Sequence, residues 1–166
     1  DTFTAAEVTA GLSFLNTGGR MFFIGEHRGF AAYNTNISNF VSSLGGSLSI
    51  TSAAFAGVAD SLSGNKNFTD SNINSGIDQF RFNAASYINV DPNISEAVVV
   101  DESNNILVGD QAIGLGRITL IADVNPMDSG ADGLSSYDNQ AWFKNLAIDS
   151  ATNRQIVSHG GNPNLG

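Results

Sequence analysis

The chain contains no cysteine, which excludes disulfide scaffolds, thiolate metal centres and cysteine nucleophiles together. Basic residues are scarce: 7 Lys and Arg stand against 16 Asp and Glu, giving a formal net charge of −9. Nucleic acid and anionic membrane surfaces both need a basic face, so neither is an expected partner. The two histidines, His27 and His159, lie far apart, too few for a zinc site that needs three or four His, Cys or carboxylate ligands. No apolar run is long enough to span a bilayer, and no stretch has the layout of a secretory leader. No Gly-x-Ser-x-Gly occurs, so the strained elbow of that class of serine hydrolase is missing. Gly114 and Gly116 precede an apolar run instead of following one, which is the wrong order for a dinucleotide fingerprint.

What is present is an ordinary apolar fraction, 42% of 166 residues, enough for one domain with a real core. The expectation is a single domain over 1–166, with 151–166 as a loose tail rich in Gly, Pro and Asn. A cysteine-free chain rich in Asn, Ser, Thr, Gly and Asp is the composition of an exported bacterial protein, placed outside the cell or on its surface. A leader would then have been cut away or lie outside this sequence. The acidic balance permits cations, carbohydrate or another cell-surface component as partners, and self-assembly at a surface.

Thr4-Ala5-Ala6-Glu7 is a capping box, and Ala5, Val8, Leu12 and Leu15 repeat at helical spacing behind it. Gly18 or Gly19 closes that helix. Arg20–Gly25 follows as a strand, then a loop over 26–33. Asn34-Thr35-Asn36 offers caps to a second helix with the stripe Ile37, Phe40, Val41, Leu44, stopped at Gly45-Gly46. Leu48–Thr51 reads as a short strand, 53–62 as a helical turn and 63–75 as a surface loop. From Gly76 to Val90 the chain is extended, with Ile77, Phe80, Phe82 and Ile88 inward. Residues 96–100 and 106–108 flank Asp101–Asn105 as a β-hairpin. Arg117–Val124 is a further strand, followed by the acidic loop 125–133. Asp138 is placed to cap a last helix running to Ile148 that buries Trp142, Phe143, Leu146 and Ala147. Residues 155–158 could form a final strand.

Two stretches share one pattern. Gly19-Arg20 leads through Met21–Ile24 to Gly25 and Glu26, and Gly116-Arg117 leads through Ile118–Ile121 to Ala122 and Asp123. Short apolar runs beside helices read as inner strands of a mostly parallel sheet, so the fold class is α/β with a β-hairpin extension. Ligands of such sheets sit beyond the carboxyl ends of the strands, where both stretches place an acid. The chain opens on a helix where an α/β unit usually opens on a strand. A first strand could precede Asp1, or another chain could supply it by strand addition. In the plainest case the sheet begins at Arg20.

The segments Phe14–Arg20, Phe23–His27, Leu44–Ile50, Gly116–Asp123 and Asp138-Asn139 resemble the non-catalytic, flavodoxin-like members of the class I glutamine-amidotransferase-like domains of exported bacterial surface proteins. The resemblance covers most of the chain and is weakest in its middle third. It implies a three-layer αβα sandwich. It does not imply amidotransferase chemistry, which needs the nucleophilic cysteine that this chain lacks.

The candidate site residues follow from the strand ends. Glu26, His27 and Arg28 form a polar triplet after the first strand, able to bind a polar ligand or exchange a proton. Phe30 and Tyr33 could stack on a sugar ring. Asp123, Asn125, Asp128 and Asp132 form an oxygen-rich run that admits a calcium ion, although the spacing departs from the EF-hand; the same residues also serve as turn formers. No other cofactor is expected. Three functions are compatible with this: a non-enzymatic binding or assembly domain with a crevice at the strand ends; a hydrolase using Glu26, His27 and Asp123, with or without a metal; and a structural subunit of a surface layer or filament.

Overall fold

The structure is a computed structural model that describes residues 2–54, 72–101, 103–130 and 133–159, apart from the side chains of 52–54 and 150–159. The capping box forms: the Thr4 hydroxyl accepts from the Glu7 amide, and the Glu7 carboxylate accepts from the Thr4 amide at 2.7 Å. Helix α1, Ala5–Asn16, follows from it, and Gly18 ends the turn at φ +85°. Leu15 is fully buried, Val8 and Leu12 are partly so, and Ala5 stays in solvent.

Strand β1 is Arg20–Ile24 and leads to a single 3₁₀ turn at Arg28–Phe30. Helix α2 spans Ala31–Ser43, so it begins three residues before the Asn-Thr-Asn caps and has no side-chain cap of its own. Strand β2 is Ser49–Ala54, which includes the first two residues expected to be helical; the rest of that expected turn lies outside the described residues. Of the loop expected over 63–75, Asn72–Asn74 is a 3₁₀ turn and 63–71 lie outside the described residues. Strand β3 is Ser86–Asn89, β4 is Ser95–Val100, β5 is Ile106–Ile113 and β6 is Gly116–Ile121. Helix α3 runs over Asn139–His159, eleven residues beyond its expected end, and so replaces the strand expected at 155–158.

The strands form two sheets, one of four in the order β1-β6-β5-β4 and a pair, β2-β3. Only β1 and β6 are parallel, with Arg20 opposite Arg117 and Ile24 opposite Ile121. The pairs β5–β6, β4–β5 and β2–β3 are antiparallel. The expected mostly parallel three-layer αβα sandwich is therefore not what this chain builds. It is a mixed α/β fold around a mixed sheet, with three α-helices among the described residues. Nor is β1 an inner strand: it stands at the sheet's edge, half-buried along its whole length.

Two cores lie on the two faces of the four-stranded sheet. On one, Met21, Phe23, Ile118 and Leu120 pack with Leu15 of α1, with Phe40 and Val41 of α2 and Leu44 at its end, with Leu48 just before β2, and with Ile50 and Ile88 of the second sheet. On the other, Phe22, Ile24, Val108 and Ile121 pack with Trp142, Phe143 and Leu146 of α3 and with Ile73, Ile77, Phe80 and Phe82. Ile77, Phe80 and Phe82 belong to the extended run from Gly76, which is strand only at its end but points the expected residues inward, Ile88 into the first core. Ala147 is exposed, contrary to expectation. Each fully buried Leu, Ile or Phe contributes about 1.5–3 kcal/mol, so these two clusters carry the fold. No helix among the described residues is long and apolar enough to cross a membrane.

Candidate functional site

The parallel register of β1 and β6 brings Glu26 and Asp123 out at one edge of the sheet, as the repeated pattern implies. The Gly25 amide extends the ladder by donating to the Ile121 carbonyl at 2.7 Å. Gly25 is glycine for a steric reason: a Cβ there would overlap the end of the Ile50 side chain. The next residue is held by Asn34, which is 3% exposed in the first turn of α2. Its Oδ1 accepts from the Glu26 amide at 2.9 Å and its Nδ2 donates to the Glu26 carbonyl at 2.6 Å. This two-point latch satisfies the main chain of Glu26 where the sheet has ended.

The side chains beyond it follow in sequence. The Glu26 carboxylate accepts from the His27 amide at 2.8 Å. His27 Nδ1 accepts from the Gly29 amide at 3.0 Å, so the imidazole caps the 3₁₀ turn. Phe30 stands edge-on to that imidazole with centroids 5.0 Å apart, and Tyr33 is 6.2 Å further on. Together with Ile24, Gly25, Asn34, Ile37 and Val124, the residues Glu26, Phe30 and Tyr33 line a cleft of about 390 Å³. Its walls are mostly apolar, and Phe30 and Tyr33 on its rim are 44% and 65% exposed.

Three of the expected site residues thus line one cleft, and the others serve elsewhere. Arg28 opens the 3₁₀ turn and is exposed outside the lining. Asp123 is fully buried; its Oδ2 accepts from the Asn83 amide at 2.6 Å and its Oδ1 from the Asn125 amide at 2.9 Å. Asn125 in turn donates to the Asn83 carbonyl at 3.1 Å. Asp123 and Asn125 therefore fasten the extended run from Gly76 to the end of β6, and neither Glu26 nor His27 is hydrogen-bonded to Asp123. Asp128 is exposed and accepts from the Gly130 amide at 3.1 Å, an Asx turn. Asp132 lies outside the described residues. Among the described residues no group of three or more His, Asp or Glu is placed to hold a metal ion.

Asp138 was expected to cap the last helix through its side chain. Its carboxylate instead accepts from the amides of Asp78 and Gln79, both at 2.9 Å, while its carbonyl receives the Trp142 amide. Asn139 does the same for Arg81, accepting from its amide at 2.8 Å and donating to its carbonyl. The run 78–83, which has no sheet partner over most of its length, is thus tied down by side chains from three directions.

Reading the sequence also passed over a charged cluster at the opposite end of β1 and β6. Asp110 of β5, 1% exposed, accepts from Arg20 at 2.7 Å and also from Arg117 and the Thr119 hydroxyl. Arg20 reaches on to Asp149 of α3, and Arg117 to Glu96 of β4. The repeated Gly-Arg was the available signal, because paired strands carrying arginine at one register position require an acid on the third. A polar hollow of about 290 Å³ beside it is lined in part by Glu96, Asp110, Gln111 and Arg117, whose charges are already matched to one another.

No family model and no curated protein matches the chain. Among solved structures, the mmIFT52 N-terminal domain superposes on 90% of this chain and 72% of its own at a TM-score of 0.64, with 14% identity. Exo-beta-1,4-mannosidase Op5Man5 from Opitutaceae bacterium strain TAV5 aligns with 95% of this chain but 23% of its own, at 13% identity and a TM-score of 0.44, too low a similarity to carry an argument. The likeness to the mmIFT52 domain is one of fold alone, and that fold is mixed α/β.

Proposed function

We propose that this chain is a non-enzymatic binding domain of an exported or cell-surface protein, whose ligand enters the cleft at the carboxyl ends of β1 and β6. One contrast carries the reading. Two of the three candidates for chemistry have side-chain atoms committed to main-chain amides, His27 Nδ1 to Gly29 and both Asp123 oxygens to Asn83 and Asn125. Glu26, the third of them, shares no hydrogen bond with Asp123 and faces an open cleft beside Phe30 and Tyr33. The likeness of Phe14–Arg20 and Phe23–His27 to the non-catalytic amidotransferase-like domains agrees with binding without turnover. The reading calls for no cofactor. Amide NMR spectra recorded while cell-surface components, carbohydrates among them, are added should show shifts at Gly25, Glu26, Tyr33 and Val124. A soluble cell-surface extract that leaves those signals in place would sink the proposal, and turnover of a glycoside or ester that Glu26→Gln abolishes would favour the hydrolase alternative.

The open edge of β1 favours a second reading, a structural subunit that assembles through this strand. Arg117 donates to the Gly19 carbonyl and Gly25 to the Ile121 carbonyl, so the odd-numbered residues of β1 face β6. Arg20, Phe22 and Ile24 then turn their main-chain groups outward, with no partner among the described residues. The other edge strand, β4, is broken by irregular register at Ala97/Val99 and Val99/Val100, a common protection against strand addition, whereas β1 is regular. Light scattering across a concentration series should then reveal association that protects the Phe22 amide from exchange. A monomer throughout would remove this reading and leave the first untouched.

A further inference from the structure

Glu26 differs from the other acids withdrawn wholly or partly from solvent. Asp110 is matched by Arg20, Arg117 and Thr119, Asp123 and Asp138 each accept from two main-chain amides, and Asp101 accepts from the amides of Ser103 and Asn105 and from the Asn105 side chain. The Glu26 carboxylate is half-buried and accepts one hydrogen bond, from the amide next to it, and no ion pair reaches it among the described residues. A charge partly withdrawn from water is costly until a counter-charge arrives. Among the described residues Glu26 is also the one charged residue of the lining, and Arg28 stays outside it.

The rest of the wall narrows the counter-charge further. The Phe30 and Tyr33 rings meet at 48° with centroids 6.2 Å apart, and both line the same cleft as Glu26. Aromatic faces attract cations, by about 0.5–2 kcal/mol according to exposure. The Asn34 amide, also in the lining, has both ends taken by the Glu26 main chain. A sugar ring needs several polar partners around its rim, and here it would find one carboxylate and one phenol. An apolar stem ending in an ammonium group matches what is there, and the net charge of −9 attracts it at long range. We infer that the cleft accepts a primary ammonium group on an apolar stem, the ammonium against Glu26 and the stem against Phe30 and Tyr33. This rests on the reading of the cleft as a binding site.

The test is an NMR titration of the whole chain with Nα-acetyl-lysine N-methylamide, its uncharged norleucine counterpart, n-butylammonium and methyl glucoside. The lysine amide should shift Gly25, Glu26, Tyr33 and Val124 at millimolar concentration, with binding weakened about tenfold in Glu26→Gln, which is about 1.4 kcal/mol. Added salt should weaken it as well. Tyr33→Ala, at an exposed position, should weaken it without lowering the melting temperature. Binding of n-butylammonium as tight as that of the lysine amide supports a free amine as ligand, and tighter binding of the lysine amide supports a lysine of a polypeptide. Equal binding of the norleucine amide, no effect of Glu26→Gln, or binding of the glucoside alone overturns the ammonium inference while leaving the cleft a binding site. No shift with any of the four probes overturns the ammonium inference, and the broader cell-surface titration then decides the cleft reading separately.

Discussion

Arg20 and Arg117 stand opposite one another on adjacent parallel strands, and both hold the carboxylate of Asp110. The Arg20 side chain is 5% exposed, so two like charges sit side by side at a place where water screens them poorly. What makes the register tolerable is the acid on β5. Asp110→Asn removes the charge the two arginines share and leaves Arg20 with Asp149 and Arg117 with the exposed Glu96. It should destabilise the fold by about 3–5 kcal/mol, the usual loss when a buried pair is broken from one side. Urea denaturation followed by circular dichroism would show it. A loss under 1 kcal/mol would mean that water reaches the pair.

Trp142 is fully buried, and its Nε1 donates to Asn74 Oδ1 at 3.0 Å while Asn74 Nδ2 donates to the Val98 carbonyl at 2.8 Å. Asn74 thus joins α3 to β4 through a single side chain. Asn74→Ala strands a buried indole N–H and a buried carbonyl and should cost about 1–3 kcal/mol for each group left unsatisfied. As the chain's single tryptophan, Trp142 reports directly: its emission should be blue in the folded state and shift red on unfolding, at lower urea in the variant.

The parts of this arrangement that were legible in the sequence are those decided within a few residues. Thr4 and Glu7 are three apart and need nothing else to cap α1, and Phe80 and Phe82 can alternate inward without a strand partner. Sheet order is different, because it depends on which distant segment offers an edge. Met21–Ile24 is apolar at every position, which reads as an interior strand, yet its burial comes from helices above and below, and no strand among the described residues pairs with its outer edge. Asn34 and Asp138 were misread for a related reason. Both look like caps by type and position, but the main chains of Glu26 and of Asp78-Gln79, which come close only in the fold, compete for their side chains. The cleft's aromatic rim was visible from local sequence, whereas the separation of Asp123 from it depends on Asn83, 40 residues away.

Gly25 and Ile50 should show strong coupling. A methyl at Gly25 would overlap the Ile50 side chain, which is buried behind it. Gly25→Ala should cost about 1–3 kcal/mol as overpacking. Ile50→Val alone removes one methylene and should cost about 0.5–1.5 kcal/mol. The double variant should be more stable than the sum predicts, because the shortened side chain makes room. Additive losses in a thermal-denaturation cycle would show that strain at Gly25 arises from its backbone instead.

Two groups should mark the edges of the stability–pH curve. The pKa of Tyr87 is raised above 10.0, first by burial and then by the charge of Asp101 and the hydrogen bond to it. The folded state holds that proton more tightly than the unfolded chain, so the stabilisation is complete below pH 10.0 and disappears as the pH rises through the folded value. Tyr87→Phe should flatten the alkaline limb. Glu7 behaves in the opposite sense: hydrogen bonds from the Thr4 amide and then the Thr4 hydroxyl lower it from 4.5. Its contribution is present above that value and is lost as the pH falls through the lower folded one. Exchange of the Thr4 amide should quicken there, and Glu7→Gln should remove the acid dependence.

Asp123 separates a structural role from a catalytic one. If it supports the Asn83 and Asn125 main chain, Asp123→Ala takes the acceptor from two half-buried amides, at up to about 1–3 kcal/mol each. The melting temperature should fall, and exchange should quicken at Asn83 and Asn125. Glu26 and Asn34 share no hydrogen bond with Asp123, so the signals of Gly25, Glu26 and Tyr33 should respond to ligands as before, at a temperature where the variant is folded. Asp123→Asn should do intermediate damage, because an amide retains one acceptor oxygen and presents a donor to the other main-chain N–H. Asp123 would join the site if the alanine variant kept its stability and lost binding at the cleft. The two amides at its carboxylate oxygens make stability the property that should change.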